Sequence, residues 1–253
     1  MHFCVVVFVC SFLRGVYDFA IATLPPVAAN LVTMPSLVYF PLIGNAIVFT
    51  YNLPSSVLNG QVLGLRGAVL CRIVRGNITM WNDPAIVRDN PAMSLPAIPI
   101  LNMLQTQGAL GPNLVFTTYC PKVDPPFATV IPISQTPTFP STVHAKILPN
   151  VYAMVSGVAD TPYTLGYSSM SNVVAQGMPL GNFINANGEA VAVSANSMAL
   201  TMLELATDGY SQGQMGFDLT NPTTPGAYPM MTMSSCGWTP PPRLRRAPTS
   251  CSC

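Results

Sequence analysis

Residues 38–100 constrain the fold of this chain more than any other stretch. Residues 46–51 form an apolar run, Asn52-Leu53-Pro54 follows as a turn, and residues 63–74 place apolar side chains at helical spacing. An apolar run without alternation is typical of a strand covered on both faces. Gly76 predicts the end of the helix. Because strand and helix alternate, this stretch predicts an α/β fold with parallel strands.

A second set of signals follows at Trp81-Asn82-Asp83-Pro84. Asn82 or Asp83 is predicted to cap a short helix that begins at Pro84, because a proline there lacks only an amide that would be unpaired anyway. Residues 97–104 are a strand candidate, and a loop with two glycines leads on from it. Such a loop can hold an anion on backbone amides. A plain turn is the alternative, since Pro112 has no amide and no basic residue lies nearby.

The remainder of the chain is less regular. Residues 122–150 are rich in proline and predict a long surface excursion with little structure of its own. Asn187-Gly188 predicts a hairpin turn, and residues 197–206 predict a helix with one apolar face. After Ser235 the periodicity is lost, which predicts a disordered tail.

Composition excludes several classes of partner. Only 8% of the residues are charged and the formal net charge is +1, so no long-range field attracts nucleic acid. The seven cysteines include no CxxC pair, and we expect no metal site and no cofactor.

Residues 3–13 are apolar but too short to span a bilayer, which needs about 20 apolar residues. Residues 1–14 are interpreted either as a signal peptide or as part of the folded domain.

The runs FPLIGNAIVFTYNLP and GLRGAVLCRIVRGNITMWNDPAIVRDNP resemble the phosphate-binding protein of bacterial ABC phosphate transporters, as do the segments TPYTLGY, LTN and AYP further on. The resemblance implies an α/β, two-lobed periplasmic-binding-protein-like fold, with a mostly parallel sheet flanked by helices in each lobe. The first lobe is expected from residues 1–54 and 160–235, discontinuous and lacking its N-terminal part. The second lobe is expected from residues 55–159, and the disordered tail from residues 236–253.

The same resemblance directs attention to particular positions. In that family, backbone amides, hydroxyls, an arginine and an aspartate hold one phosphate. The family's arginine falls on Thr106 and its aspartate on Gly108, while Gly111 matches the family and the serine-aspartate pair after the first strand falls on Ala22 and Thr23. The resemblance therefore implies a degraded phosphate site. The expected ligand-binding residues are Thr23, Thr106, Gly108 and Gly111.

These observations leave three functional hypotheses. The first is a solute-binding-type protein that holds a small anion, a small polar ligand or nothing between its lobes. The second is a truncated gene product without ligand binding. The third is an extracellular enzyme on the same scaffold, which we do not expect, because the chain has two histidines and no catalytic motif. The resemblance implies a secreted or periplasmic monomer, and the sequon Asn77-Ile78-Thr79 would be usable after secretion from a eukaryotic cell.

Overall fold

A computed structural model describes residues 19–22, 38–106, 110–185, 187–211 and 218–238. These residues form ten strands and eight helices in a mixed α/β arrangement. The strands are β1 Phe19–Ala22, β2 Val38–Asn52, β3 Gly64–Arg66, β4 Leu101–Gln105, β5 Ala145–Leu148, β6 Thr164–Ser169, β7 Asn182–Ile184, β8 Ala190–Val191, β9 Leu219–Thr220 and β10 Met230–Trp238. The helices are α1 Ser55–Leu58, α2 Gly67–Val74, α3 Pro84–Asp89, α4 Leu110–Val123, α5 Phe127–Val130, α6 Val151–Asp160, α7 Met170–Ala175 and α8 Ala195–Ser211.

Two sheets organise the described residues. The larger has seven strands in the order β1-β10-β2-β6-β4-β5, with β9 beside β10, and the smaller has the order β3-β7-β8. Strand β4 is parallel to both β5 and β6, and β3 is parallel to β7, whereas the other pairs are antiparallel. The α/β fold is confirmed, but its sheets are mixed rather than mostly parallel. Helices connect β4, β5 and β6 along the chain, whereas β3 meets β7, and β2 meets β6 and β10, from distant parts of the chain.

Strand β2 is the longest and lies at the centre of the larger sheet. Its first part pairs with β10 and its last six residues pair with β6. The register with β10 shifts between Ser234 and Ser235, where the partner strand carries Pro41. Proline cannot donate to a ladder, so an irregularity is expected there. The predicted strand at residues 46–51 is confirmed inside β2, while the lobe boundaries at residues 54 and 160 stay predictions.

Helices α2 and α4 pack closely against each other. A Cβ atom on Gly67 would lie 1.8 Å from the hydroxyl of Tyr119, so only glycine fits at the start of α2. A disulfide joins Cys71 of α2 to Cys120 of α4, and both residues are fully buried. The helix predicted at residues 63–74 begins at Gly67 instead, because residues 64–66 pair with β7 as strand β3.

The segment around Trp81 is fixed by local and distant hydrogen bonds. The carboxylate of Asp83 accepts from the amide of Ala85 at 2.8 Å, which confirms the predicted cap of α3. The buried indole of Trp81 donates to the carbonyl of Tyr163 at 3.0 Å. Asn90, just beyond α3, accepts from the amide of Gly64 at 2.8 Å and donates to its carbonyl at 2.7 Å. These contacts attach α3 to β3 and to the segment before β6.

Several predictions need correction at this level. Residues 122–150 contain α5 and β5 and bury Phe127 and Ile131, so they are more structured than the prolines suggested. Strand β10 continues to Trp238, three residues into the predicted tail, because it pairs there with β1 and β2.

The hairpin around Asn187-Gly188 is confirmed by the antiparallel pairing of β7 with β8. The helix predicted at residues 197–206 is confirmed within α8.

Candidate functional site

The carboxyl end of β4 is where this fold can present a ligand site. Strand β4 lies between β5 and β6 and is parallel to both. Ligands of α/β sheets bind beyond the carboxyl ends of parallel strands, where the connecting loops diverge. The chain leaves β4 at Thr106 and enters α4 at Leu110. Thr106 therefore occupies the position from which a side chain can reach a ligand.

A cavity of about 410 Å³ opens at this position. It is bounded by the end of β4, by the middle of β5 and by the loop that precedes β5. Its lining residues are Thr106, Thr136, Pro137, Thr138, Phe139 and Ile147. The described lining thus combines three threonines with a proline, an aromatic and an aliphatic residue. Small-molecule sites combine polar groups with apolar surface in this way.

One buried asparagine holds the walls of this cavity together. Asn113 lies in the first turns of α4 and is fully buried. Its side-chain amide nitrogen donates to the carbonyls of Gln105 and Gln135, both at 3.1 Å. These two bonds connect the end of β4 to the loop that carries Thr136 and Thr138. The side chain of Asn113 therefore helps to position the loop.

Tyr167 and Thr117 complete this network. The hydroxyl of Tyr167 in β6 donates to the side-chain oxygen of Asn113 at 3.0 Å, and its ring stacks on Phe116 with the centroids 4.0 Å apart. Burial raises the pKa of Tyr167, so the hydroxyl stays protonated as a donor. Thr117 donates to the carbonyl of Ser134 at 3.1 Å and accepts from its amide at 3.0 Å.

The structure describes two of the four predicted site residues, Thr106 and Gly111. Thr106 lines the cavity. Gly111 is buried in the first turn of α4 and is not among the lining residues. Thr23 and Gly108 lie outside the described residues. Whether any of the four binds a ligand stays a prediction.

Sequence reasoning did not find the threonines at positions 136 and 138, nor Asn113. The two threonines were assigned to a long unstructured excursion. Asn113 and Thr117 are spaced by four residues in α4, on a face whose other members include the apolar, buried Phe116 and Cys120. Polar residues in register on a buried helix face are expected to be hydrogen-bonded. The polar residues Asn113 and Thr117 on this apolar helix face are the sequence signal that points to a buried hydrogen-bond network.

Three of the ion pairs in the described part of the chain join residues that do not line the cavity. Arg66 pairs with Asp89 at 2.8 Å, Arg75 with Asp124 at 2.6 Å, and Lys122 with Asp218 at 2.7 Å. None of the described residues that line the cavity has an ionisable side chain. Within the described ranges, no group of three His, Cys, Asp or Glu residues could hold a metal ion, and no helix has the length and apolarity needed to cross a membrane.

Comparison with solved structures defines the class of protein. The fold resembles that of a phosphate-binding protein from Stenotrophomonas maltophilia, with a TM-score of 0.61 and 14% identity over 91% of this chain and 69% of that one. It also resembles a high-affinity periplasmic phosphate-binding protein solved with phosphate bound, with a TM-score of 0.61 and 15% identity over 91% of this chain and 71% of that one. The chain therefore has the two-lobed periplasmic-binding-protein-like fold.

Sequence comparison finds phosphate-binding proteins as well. The chain is 30% identical over 220 residues to the phosphate-binding protein PstS of Methanocaldococcus jannaschii, a match covering 80% of this chain and 55% of that protein. It is 29% identical over 209 residues to PstS of Pasteurella multocida, covering 83% of this chain and 58% of that protein. No family model matches. The chain is thus similar in sequence to phosphate-binding proteins named PstS, and it spans somewhat more than half the length of these two relatives.

Proposed function

We propose that this chain is a solute-binding protein of the two-lobed type that takes a small uncharged polar ligand in place of phosphate. The observation that carries the proposal is the cavity at the end of β4, whose described lining includes three threonines and no charged side chain. A polyol or a comparable hydroxyl-rich molecule would exchange hydrogen bonds with these groups while resting on Phe139 and Ile147.

Phosphate is a poor fit to the same cavity. A desolvated anion needs compensating charge or a full set of donors, because an unpaired buried charge costs several kcal/mol. The hydroxyls of Thr106, Thr136 and Thr138 can each donate one hydrogen bond, and no guanidinium or ammonium group accompanies them among the described lining residues. Pro112 in the first turn of α4 has no amide hydrogen, which removes one of the donors that a helix N-terminus could offer an anion.

We further propose that the protein binds its ligand without transforming it and acts as a monomer outside the cytoplasm. Its relatives are binding proteins. Groups suited to acid-base chemistry are engaged elsewhere in the described residues: Asp83 caps α3, and Asp124 is paired with Arg75. His144 is exposed, and its ring nitrogen lies 3.0 Å from the carbonyl of Ile100.

Calorimetric titration tests the proposal directly. We expect heat of binding from a panel of small polyols and monosaccharides to identify at least one ligand, and we expect phosphate to bind more weakly than a Kd of about 1 mM. Replacing Thr106 or Thr138 by valine removes one hydroxyl at nearly constant volume. Each replacement is expected to weaken ligand binding by about 1 kcal/mol, which is about fivefold in Kd.

Thr142→Val is the matched control, since Thr142 is exposed and is not a lining residue. Its affinity should equal that of the unaltered chain. Binding of phosphate with a Kd of about 1 μM or tighter would refute the claim that the anion site is degraded. A folded protein that binds no member of the panel would support the hypothesis of a chain without ligand binding.

A further inference from the structure

The sequon Asn77-Ile78-Thr79 lies in the turn that follows α2. Asn77 and Thr79 are exposed, whereas Ile78 between them is buried. The alternation places the amide of the first residue and the hydroxyl of the third on the outside of the protein together. A sequence that matches a modification motif is thus also arranged as an accessible one.

The side chain of Asn77 is held in a defined orientation. The guanidinium of Arg75 donates to its side-chain oxygen at 2.6 Å. The same guanidinium is fixed by the buried carboxylate of Asp124, again at 2.6 Å. The amide nitrogen of Asn77 makes no hydrogen bond to any described residue, and the residue is exposed. Arg75 therefore bonds to the oxygen of the Asn77 side-chain amide, and the nitrogen of that amide is left to solvent.

The nearby disulfide bears on the compartment. Cys71 lies six residues before Asn77 and is bonded to Cys120. Disulfides persist in secreted and extracellular proteins and are rare in the cytosol. N-glycosylation takes place in secreted proteins at surface Asn-X-Ser/Thr sites. The two features, one a cross-link and one a surface motif, point to passage through the same oxidising secretory compartment.

We propose that Asn77 is an N-glycosylation site. The proposal rests on the extracellular location included in the proposed function. The co-reactant is an oligosaccharide linked to a lipid pyrophosphate. The amide nitrogen of Asn77 forms a bond to the anomeric carbon of the first sugar, and the bond from that carbon to the pyrophosphate oxygen breaks. The lipid pyrophosphate leaves with the electron pair and takes up the proton lost by the nitrogen, so nothing is oxidised or reduced.

The fold can carry a glycan at this position. Asn77 is at the surface, and its backbone amide is bonded to the carbonyl of Arg72 at 2.9 Å, so the turn is anchored through backbone atoms. Neither Asn77 nor Thr79 lines the cavity at the end of β4. A glycan here would add hydrated bulk to a surface that carries few charges, since only 8% of the residues are charged.

Expression of the full chain in the secretory pathway of a eukaryotic cell tests the proposal. The readout is the electrophoretic mobility of the total chain, before and after peptide N-glycosidase. We expect an enzyme-sensitive shift of one glycan, lost in Asn77→Gln and in Thr79→Ala but retained in Thr79→Ser. Asn82→Gln is the matched control, because Asn82 is exposed a few residues away and is followed by Asp-Pro instead of a sequon.

The comparison of Thr79→Ala with Thr79→Ser keeps the test valid if Asn77→Gln destabilises the turn. A chain that forms the Cys71–Cys120 disulfide and carries no enzyme-sensitive glycan would overturn the proposal. So would a glycan that remains in Asn77→Gln. Failure of the proposed ligand binding is separable, because the calorimetry uses protein made in bacteria, which carries no such glycan.

Discussion

The disulfide between Cys71 and Cys120 is expected to be a major contribution to the stability of this protein. The two cysteines lie 49 residues apart in the sequence, and both are fully buried between α2 and α4. Closing a loop of that length removes unfolded-chain entropy worth about 4 kcal/mol at 25 °C in the chain-entropy treatment. Globular domains are stable by only about 5–15 kcal/mol. Loss of the cross-link therefore removes a large fraction of the total.

The perturbation is the double replacement Cys71→Ala with Cys120→Ala, followed by urea unfolding. Alanine suits both helices. For an m-value of about 3 kcal/mol/M, a loss of about 4 kcal/mol lowers the urea midpoint by about 1 M. Because the cross-linked unfolded chain is more compact, the m-value should also rise in the double variant.

Reductant provides the matched control for this prediction. It should lower the midpoint of the unaltered chain by a similar amount and leave the double variant unchanged. A double variant within about 1 kcal/mol of the oxidised protein would refute the loop-entropy reasoning, since that difference is the size of a typical single substitution. A further drop of the double variant in reductant would show that another disulfide contributes.

Two more perturbations probe particular contacts. Burial by itself would raise the pKa of Glu204, but hydrogen bonds from Thr224 and Thr223 outweigh it and lower the pKa to about 2. The ionised carboxylate thus stabilises the fold fully above its unfolded pKa near 4.5, and the benefit is lost as the pH falls towards 2. Acid titration followed by circular dichroism compares Glu204→Gln with the unaltered chain. Between those two pH values the variant should lose less stability than the unaltered chain, by about 1 kcal/mol after allowance for solvent screening. Equal acid profiles of the two proteins would contradict this. Gly67→Ala should destabilise by about 3 kcal/mol, at the upper end of overpacking costs, because its Cβ would lie 1.8 Å from the buried Tyr119 hydroxyl; an unchanged thermal midpoint would show that Tyr119 moves freely.

The parts of the fold that were predictable from the sequence rest on short-range signals. Asp83 caps α3 through the amide of Ala85, two residues away, and the Asn187-Gly188 turn joins strands that immediately flank it. Both contacts are encoded in a few neighbouring residues. Resemblance to a known family supplied the larger arrangement, because repeated local motifs in the same order fix the path of the chain.

The parts that were missed depend on partners far away in the sequence. Residues 64–66 are a strand because they pair with β7, more than 100 residues later. Strand β5 has only four residues, with Lys146 among them and Pro149 directly after them, and it forms by pairing with β4. Asn113 matters to the site because it bonds to Gln135 and Tyr167. Local propensity carries no information about such pairings.

The separation of scaffold from site would allow a chain similar to phosphate-binding proteins to keep their fold with the altered ligand chemistry that we propose. The contact of Trp81 with Tyr163 and the network of Asn113 use protein groups alone, so they do not require an anion. In the family's pattern, the arginine and the aspartate of the site both contact phosphate. Loss of one of them would leave a buried charge without its partner, which is strongly destabilising. The family resemblance puts Thr106 and Gly108 at these two positions, so both charges are absent together, and the remaining hydroxyls impose no such penalty on an empty or neutral site.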